Sequence, residues 1–199
     1  DIYKFYMRAE QINELKPGEG YWFKAKTTLK IDLDRNDLLD SSSIINLTHK
    51  NYGWNQVASP YPYPVKWAGP QTLWRWNAET KDYEQTNNVL QPWEAYWVQT
   101  DETKMVTIKP EPVLDRGVLA KKMNTFYVNK DDWRVRLKLA AGEYHDNNNI
   151  IGFSPLADNG KDDLDKPEPP RMSEYPCLFI NRPDWNSSYP QHATDIRKV

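Results

Sequence analysis

Cysteine, glycine and histidine are scarce in this chain of 199 residues. The single cysteine, Cys177, excludes an internal disulfide, and its apolar surroundings favour a small buried side chain over a catalytic thiol. Only 8 glycines occur, and none belongs to a phosphate-cradling loop after a strand. His49, His145 and His192 lie far apart, without partners at metal-ligand spacing. The sequence therefore predicts that the protein is not an enzyme and has no catalytic residues.

An excess of one charge and long apolar runs are also missing. Lys and Arg number 26 against 28 Asp and Glu, so there is no basic surface to attract nucleic-acid phosphates. No apolar stretch reaches the roughly 20 residues of a membrane-spanning helix. We therefore expect no nucleic-acid partner and no membrane insertion. The opening residues 1–4 have the character of the inside of a module, which predicts a piece of a larger protein.

Aromatic residues are abundant by contrast, with 9 Trp and 12 Tyr. Such rings suit β surfaces and binding faces. Helical periodicity is weak and 15 prolines interrupt the chain, which argues against long helices. Apolar and polar residues alternate with period two over 29–33, 73–77, 106–109 and 133–139. These patterns predict an all-β fold made of short strands.

One nine-residue phrase occurs twice. Residues 15–23 read Leu-Lys-Pro-Gly-Glu-Gly-Tyr-Trp-Phe, and residues 90–98 read Leu-Gln-Pro-Trp-Glu-Ala-Tyr-Trp-Val. Five residue types thus recur 75 positions later, which predicts two related aromatic-rich β modules. The second copy has Trp93 and Ala95 in place of two glycines, so the tight turn that glycine permits is in question there.

Proline-rich segments divide the chain. Lys-Pro-Glu-Pro at 109–112 is the best boundary between domains. We predict two β-sandwich-like domains, an aromatic-rich repeat domain over 1–112 and a second domain with an Asp-rich loop over 113–199. The segment 59–64 contains three prolines and is predicted to be extended at the surface. Residues 144–149 are predicted to be a polar turn.

Six rings within one short stretch form a predicted sugar-binding platform. Flat aromatic faces stack on sugar rings much as they stack on nucleic-acid bases. The alternative for each ring is burial in the core, which strand placement favours for Trp74 and Trp76. Trp22 and Trp97, at equivalent repeat positions, are expected to be structural. The predicted platform consists of Trp54, Tyr61, Tyr63, Trp67, Trp74 and Trp76.

The Asp-rich loop over 158–165 is the predicted metal site. Its carboxylates lie at short, uneven spacing around Gly160 and can supply several of the 6–8 oxygens that Ca²⁺ takes. The spacing is not that of an EF-hand, and a solvated turn is the alternative reading. We predict Ca²⁺ as a structural cofactor, bound by Asp158, Asp162, Asp163 and Asp165.

Several of these phrases together resemble a known repeat. Residues 53–65, 73–77, Tyr83 and 90–97 resemble the "GWN-x-x-x-x-P … W-N … Y … L-x-P-x-x-G-Y-W" repeats of large secreted proteins in the Bacteroidetes, Fibrobacteres and neighbouring phyla. Residues 133–170 are similar to the Asp-rich segment that commonly follows, ahead of a secretion-sorting domain. The resemblance implies a β fold, an extracellular or cell-surface location and other domains of a larger parent chain. It implies no defined activity.

Two functions follow from these observations. We predict a non-catalytic accessory module that binds a polysaccharide or cell-surface glycan through exposed Trp and Tyr rings. The alternative is a structural spacer or assembly domain ahead of a secretion-sorting region, without a glycan ligand and with its rings buried. A hydrolase fragment would require two carboxylates that converge in one cleft, which spacing along the chain cannot reveal.

Overall fold

The structure is a computed structural model that describes residues 14–22, 41–113, 131–171, 176–186 and 188–199. Within these ranges the chain is all-β, which confirms the predicted fold class. The predicted strand over 29–33 lies outside them. A short 3-10 turn spans Asn51–Gly53, and no helix in the described part is long and apolar enough to span a membrane. The strands of the described part are β1 (Ser43–Leu47), β2 (Trp54–Ala58), β3 (Val65–Lys66), β4 (Trp74–Asn77), β5 (Asp82–Gln85), β6 (Val89–Leu90), β7 (Ala95–Gln99), β8 (Lys104–Ile108), β9 (Trp133–Ala141), β10 (Tyr144–Ser154), β11 (Ile180–Asn181), β12 (Gln191–His192) and β13 (Thr194–Lys198).

The described residues group into two compact units. The repeat unit contains both copies of the repeated phrase, and its described residues are 14–22, 41–75 and 88–113. The C-terminal unit contains 76–87 together with the described residues from 131 onward. The predicted domain boundary between residues 112 and 113, and the predicted sandwich architecture, stay predictions.

The repeat unit is built from small antiparallel sheets. β2 pairs with β7, which places Val57 opposite Tyr96, and β7 pairs with the first half of β4, which places Trp74 opposite Trp97. The first copy of the repeated phrase also contacts β2, through a bridge between Glu19 and Val57. β1 pairs with β8, and β3 pairs with β6. Both copies of the repeated phrase therefore adjoin β2, the second through β7 and the first through a single bridge.

The core of the repeat unit follows from period-two alternation. In β1, Ile45 and Leu47 are buried whereas Ile44 and Asn46 are exposed, as expected for a strand with one covered face. Tyr61, from the proline-rich segment, is buried in the same core. Its hydroxyl donates to the backbone carbonyls of Ser41 at 2.8 Å and Ile108 at 3.0 Å. The prediction that this segment lies at the surface is therefore wrong for Tyr61.

The C-terminal unit is centred on a three-stranded sheet in the order β13-β10-β9. β9 and β10 form an antiparallel hairpin, whereas β10 and β13 run parallel. The predicted polar turn over 144–149 is wrong, because β10 already begins at Tyr144. The turn lies earlier, at Gly142, whose φ of 64° suits glycine. The polar residues instead occupy a β-bulge between Asp146 and Asn149.

Candidate functional site

The first copy of the repeated phrase forms a tight turn that a tyrosine closes. The Glu19 N–H donates to the Lys16 carbonyl at 3.2 Å, and Gly18 has a φ of 84°. Pro17 precedes it with the fixed φ that suits the second position of such a turn. The Tyr21 hydroxyl accepts from the Lys16 N–H at 3.1 Å and donates to the Glu19 carboxylate at 2.8 Å. We call this pair of hydrogen bonds the tyrosine clamp.

The second copy repeats the tyrosine clamp. The Tyr96 hydroxyl accepts from the Gln91 N–H at 3.0 Å and donates to the Glu94 carboxylate at 2.7 Å. Trp93 occupies the position of the first copy's glycine and has a φ of 67°. The left-handed turn that the sequence put in question is therefore present, without glycine.

Packing explains why the first copy has glycines. A Cβ on Gly18 would lie 2.8 Å from the Ile45 side chain, and a Cβ on Gly20 would lie 2.9 Å from the Cβ of Ala95. Both glycines are buried, so an added Cβ could not avoid these neighbours by pointing into solvent. Trp93, by contrast, is 83% exposed, so its side chain has room. The position after the proline thus tolerates a side chain when no neighbouring residue packs against it.

Trp93 is a candidate contact residue that sequence reasoning missed. A non-glycine residue in the left-handed region costs about 1–2 kcal/mol, and an exposed indole contributes little burial in return. Arg75 and Glu94 form an ion pair at 2.9 Å, and both are half exposed. The signal in the sequence was a tryptophan at a position where the other copy carries glycine.

The structure buries most of the predicted platform. A ring that is nearly inaccessible cannot present its face to a sugar. The edge of the Trp54 ring meets Trp97, with ring centroids 6.2 Å apart. Tyr63 is half buried and stacks on Tyr61 in the repeat unit, and Trp76 is half buried and meets Tyr83 edge-on in the C-terminal unit. The buried members are Trp54 (3% exposed), Tyr61 (3%), Trp67 (2%) and Trp74 (1%).

Two carboxylates of the Asp-rich loop hold the backbone of the loop and its surroundings. Asp162 accepts from the backbone N–H groups of Asp158 at 2.6 Å and Leu164 at 2.7 Å. Asp165 accepts from the N–H groups of Asp162 at 3.0 Å and Ile196 at 2.8 Å. Such bonds are those of a self-capped turn and use the oxygens that Ca²⁺ would require.

The four predicted calcium ligands differ in their exposure. Asp158 and Asp163 are exposed, whereas Asp165 is buried. Burial raises the pKa of Asp165 to about 6, although two N–H groups donate to its carboxylate. In the part of the chain that the structure describes, no three His, Cys, Asp or Glu side chains form a ready-made metal-binding group.

A second cluster of carboxylates lines a cleft in the C-terminal unit, which we call the acidic cleft. It encloses about 300 Å³ including its open mouth, with free space for about one water-sized ligand. That space is too small for a sugar ring. Its acids come from distant parts of the chain, so spacing could not reveal them. The lining residues are Trp76, Lys81, Asp82, Tyr83, His145, Asp146, Glu168, Arg171, Pro176 and Cys177.

Backbone and amide donors fix two of the three carboxylates. Asp146, in the β10 bulge, accepts from the Asn149 amide at 2.8 Å and from the Leu178 N–H at 2.7 Å. Asp82 accepts from the Asn147 N–H at 3.1 Å and from the Asn148 amide at 3.0 Å. Burial nevertheless raises the pKa of Asp82 above its usual value.

Glu168 is the exceptional carboxylate of the acidic cleft. Its side chain is 4% exposed, and its Oε2 atom has no hydrogen-bond partner. Burial raises the pKa of Glu168 well above its usual range, and the negative charges of Asp146 and Asp82 add to the effect. Burial likewise raises the pKa of the Cys177 thiol to about 12, so this cysteine is protonated at neutral pH.

No protein-family model, curated protein sequence or solved structure matches this chain. The resemblance to repeats of secreted proteins therefore stays a prediction, as do the location and the partners that it implies. Function has to be argued from the geometry of the chain itself.

Proposed function

We propose that this chain is a non-catalytic structural module, a spacer or assembly domain, of a larger secreted or cell-surface protein. The observation that carries this proposal is the burial of Trp54, Tyr61, Trp67 and Trp74. These rings fill cores and contact other strands, and such a ring contributes about 3–5 kcal/mol to stability in typical truncations. Folding alone therefore explains why these four rings are present, and no ligand is needed to explain them.

The tyrosine clamps support the same role. Each clamp fixes the entry of its repeat copy by a hydroxyl that bonds to a backbone N–H and a carboxylate at once. The clamp of the second copy leads directly into β7, which pairs with two other strands. A spacer has to keep its ends at a fixed separation, and doubly bonded turns of this kind resist local opening.

Retention on insoluble polysaccharides, combined with unfolding, tests the proposal. Cellulose, xylan and chitin should retain neither the wild type nor the Trp67→Ala and Trp74→Ala variants. Both variants should instead lose about 3–5 kcal/mol of unfolding free energy in urea. Trp93→Ala, at an exposed ring, is the matched control and should keep its stability. Retention of the wild type that disappears in a folded Trp67→Ala variant would contradict the proposal.

Glycan binding through Trp93 is the second candidate function. Two observations favour it: the ring is 83% exposed, and it stands in the left-handed region where the first copy has glycine. An exposed indole beside a half-exposed ion pair offers a stacking face together with hydrogen-bonding groups for hydroxyls.

Titration with soluble oligosaccharides of the same polymers tests this candidate. If Trp93 stacks on a sugar ring, the emission of the wild type should change saturably with ligand, and Trp93→Gly should abolish the change while it stays folded. Trp133→Phe, at another exposed tryptophan, is the control that should retain binding. Affinity that survives in Trp93→Gly would exclude this residue as the contact.

A further inference from the structure

β9 is a long strand at the edge of the C-terminal sheet. It spans 9 residues and stands last in the order β13-β10-β9, so β10 is its only partner among the described strands. Its outer side therefore presents a row of backbone N–H and C=O groups. Natural proteins usually keep edge strands short, charged or covered, because such a row can pair with another chain.

One face of this edge is apolar and exposed. Trp133 and Val135 are both exposed, and they lie on the same face of β9 because side chains alternate across a strand. Phe153 of β10 is opposite Trp133 in the register and is exposed as well, and the centroids of the two rings are 6.0 Å apart. Neighbouring apolar side chains that stay exposed can mark a contact site.

The opposite face of β9 is cationic. Arg134, Arg136 and Lys138 alternate with the apolar residues, and β9 contains no acidic residue. Arg134 is half buried and pairs with Asp132 at 3.6 Å. Arg136 and Lys138 are exposed, and no acid of the described residues forms an ion pair with either of them. The edge thus carries two positive charges that the described part of the chain does not neutralise.

This pattern distinguishes between possible occupants of the edge. Two copies of β9 paired with their apolar faces aligned would place cations opposite cations, which destabilises a sheet. A nucleic-acid strand could meet the cations or the exposed rings but not both, because the two groups lie on opposite faces. An extended polypeptide also has side chains on two faces with period two, so it can match both. The cations therefore oppose self-pairing and favour an acidic strand.

We propose that β9 pairs with an extended segment of another polypeptide in which apolar residues alternate with Asp or Glu. The segment adds one strand to the sheet through backbone hydrogen bonds. Its apolar side chains cover Trp133 and Val135, and its carboxylates lie beside Arg136 and Lys138. The inference rests on the assembly role proposed above and names the kind of partner, and the buried rings of the repeat unit take no part in it.

A labelled peptide tests the edge. The probe is a fluorescein-labelled peptide of the length of β9 in which valine and glutamate alternate, and binding is followed by fluorescence anisotropy at low ionic strength. The wild type should bind it, and added salt should weaken the binding because exposed charges are screened. A peptide of the same composition with valines and glutamates in separate blocks should bind about tenfold more weakly or less, because it keeps the charge and loses the alternation.

Matched variants locate the contact. Arg136→Glu should weaken binding of the alternating peptide about tenfold or more, because attraction becomes repulsion. Lys66→Glu makes the same charge change at an exposed residue of β3, in the repeat unit, and should keep the affinity of the wild type. If Arg136→Glu does not fold, Lys138→Glu serves in its place with the same expectation.

Four results would overturn the proposal. They are no binding of the alternating peptide, equal binding of the blocked peptide, unchanged affinity in Arg136→Glu, and a wild type that sediments as a dimer until Arg136 is replaced, which would assign the edge to a second copy. Tighter binding of a labelled oligothymidylate than of the peptide would assign it to nucleic acid instead. None of these results bears on the burial of Trp67 and Trp74, so the structural role keeps its own test.

Discussion

The two copies of the repeated phrase reach the same turn with different residues. Gly18 is buried against Ile45, whereas Trp93 points into solvent, yet both have a positive φ. What the copies share is the proline before this position and the tyrosine clamp after it. Proline and the clamp therefore fix the turn, and glycine is needed only where a neighbouring side chain packs against it.

The clamps themselves differ in their surroundings. Tyr96 is 2% exposed, and its partner Glu94 also accepts two hydrogen bonds from Arg75, at 2.9 and 3.2 Å. Tyr21 is only half buried, and its partner Glu19 is exposed. A hydrogen bond shielded from water is harder to replace by solvent, so the second clamp should contribute more to stability.

The largest effect is expected where a side chain is added to the glycine of the first copy. Gly18→Ala places a Cβ within 2.8 Å of Ile45 and puts alanine in the left-handed region. The free energy of unfolding should fall by about 2–4 kcal/mol. Trp93→Ala keeps the same φ without a neighbour above it and should change stability by less than about 0.5 kcal/mol. Equal losses in urea titrations would show that the two positions do not differ in packing.

Removal of the clamp hydroxyls should give the next largest effect. Tyr96→Phe removes a buried hydroxyl that bonds to the Gln91 N–H and to the half-buried Glu94 carboxylate, and we expect a loss of about 2 kcal/mol. Tyr21→Phe should cost less than about 1 kcal/mol, because water replaces the hydroxyl. Chemical denaturation of both variants measures the difference. A larger loss at Tyr21 would contradict the view that burial strengthens the second clamp.

Alkaline pH should separate the two tyrosines. Burial raises the pKa of both, and that of Tyr96 most strongly. A raised pKa contributes stability that is complete below the unfolded value of about 10 and is lost as pH rises through the folded value. The unfolding free energy of Tyr96→Phe should therefore decline less steeply above pH 10 than that of Tyr21→Phe. Parallel declines would argue that the Tyr96 hydroxyl is as accessible as that of Tyr21.

The smallest effect is expected when the second copy is given the glycine of the first. Trp93→Gly removes the backbone strain of a non-glycine residue in the left-handed region, which is about 1–2 kcal/mol. Glycine also increases the conformational entropy of the unfolded chain, which destabilises the folded state by about 0.5–1 kcal/mol. The net gain in stability should be no more than about 1 kcal/mol. Thermal melts resolve a change of this size. A clear loss would mean that the indole makes a stabilising contact.

Alternation and repetition in the sequence predicted the strands well. The patterns over 73–77, 106–109 and 133–139 correspond to β4, β8 and β9. Period two reports the backbone conformation directly, because side chains alternate across a strand. The polar run over 144–149 failed as a turn, because the bulge that accommodates it depends on its partner strand.

The fate of the rings and carboxylates could not be read from spacing. Trp67 and Trp93 both follow a proline within three residues, yet Trp67 is buried and Trp93 is exposed. Which ring is covered depends on residues distant in the chain. Spacing likewise predicts Asp162 as a metal ligand but does not show that its carboxylate accepts from neighbouring N–H groups. Glu168 shares a cleft with Asp82 of β5 and Asp146 of β10, although the three residues are distant in the sequence.

Acrylamide quenching of tryptophan fluorescence is the sharpest test of whether the rings are structural, since all nine indoles lie in the described residues. If the rings build the fold, the quenchable emission comes mainly from Trp93 and Trp133, which are 83% and 53% exposed. We predict that a Trp93→Phe, Trp133→Phe double variant is quenched much less than the wild type while it stays folded, and that its residual quenching comes from the partly exposed Trp22, Trp76 and Trp185. Strong quenching that persists in this variant would mean that other rings are open to solvent, and would contradict a structural role for them.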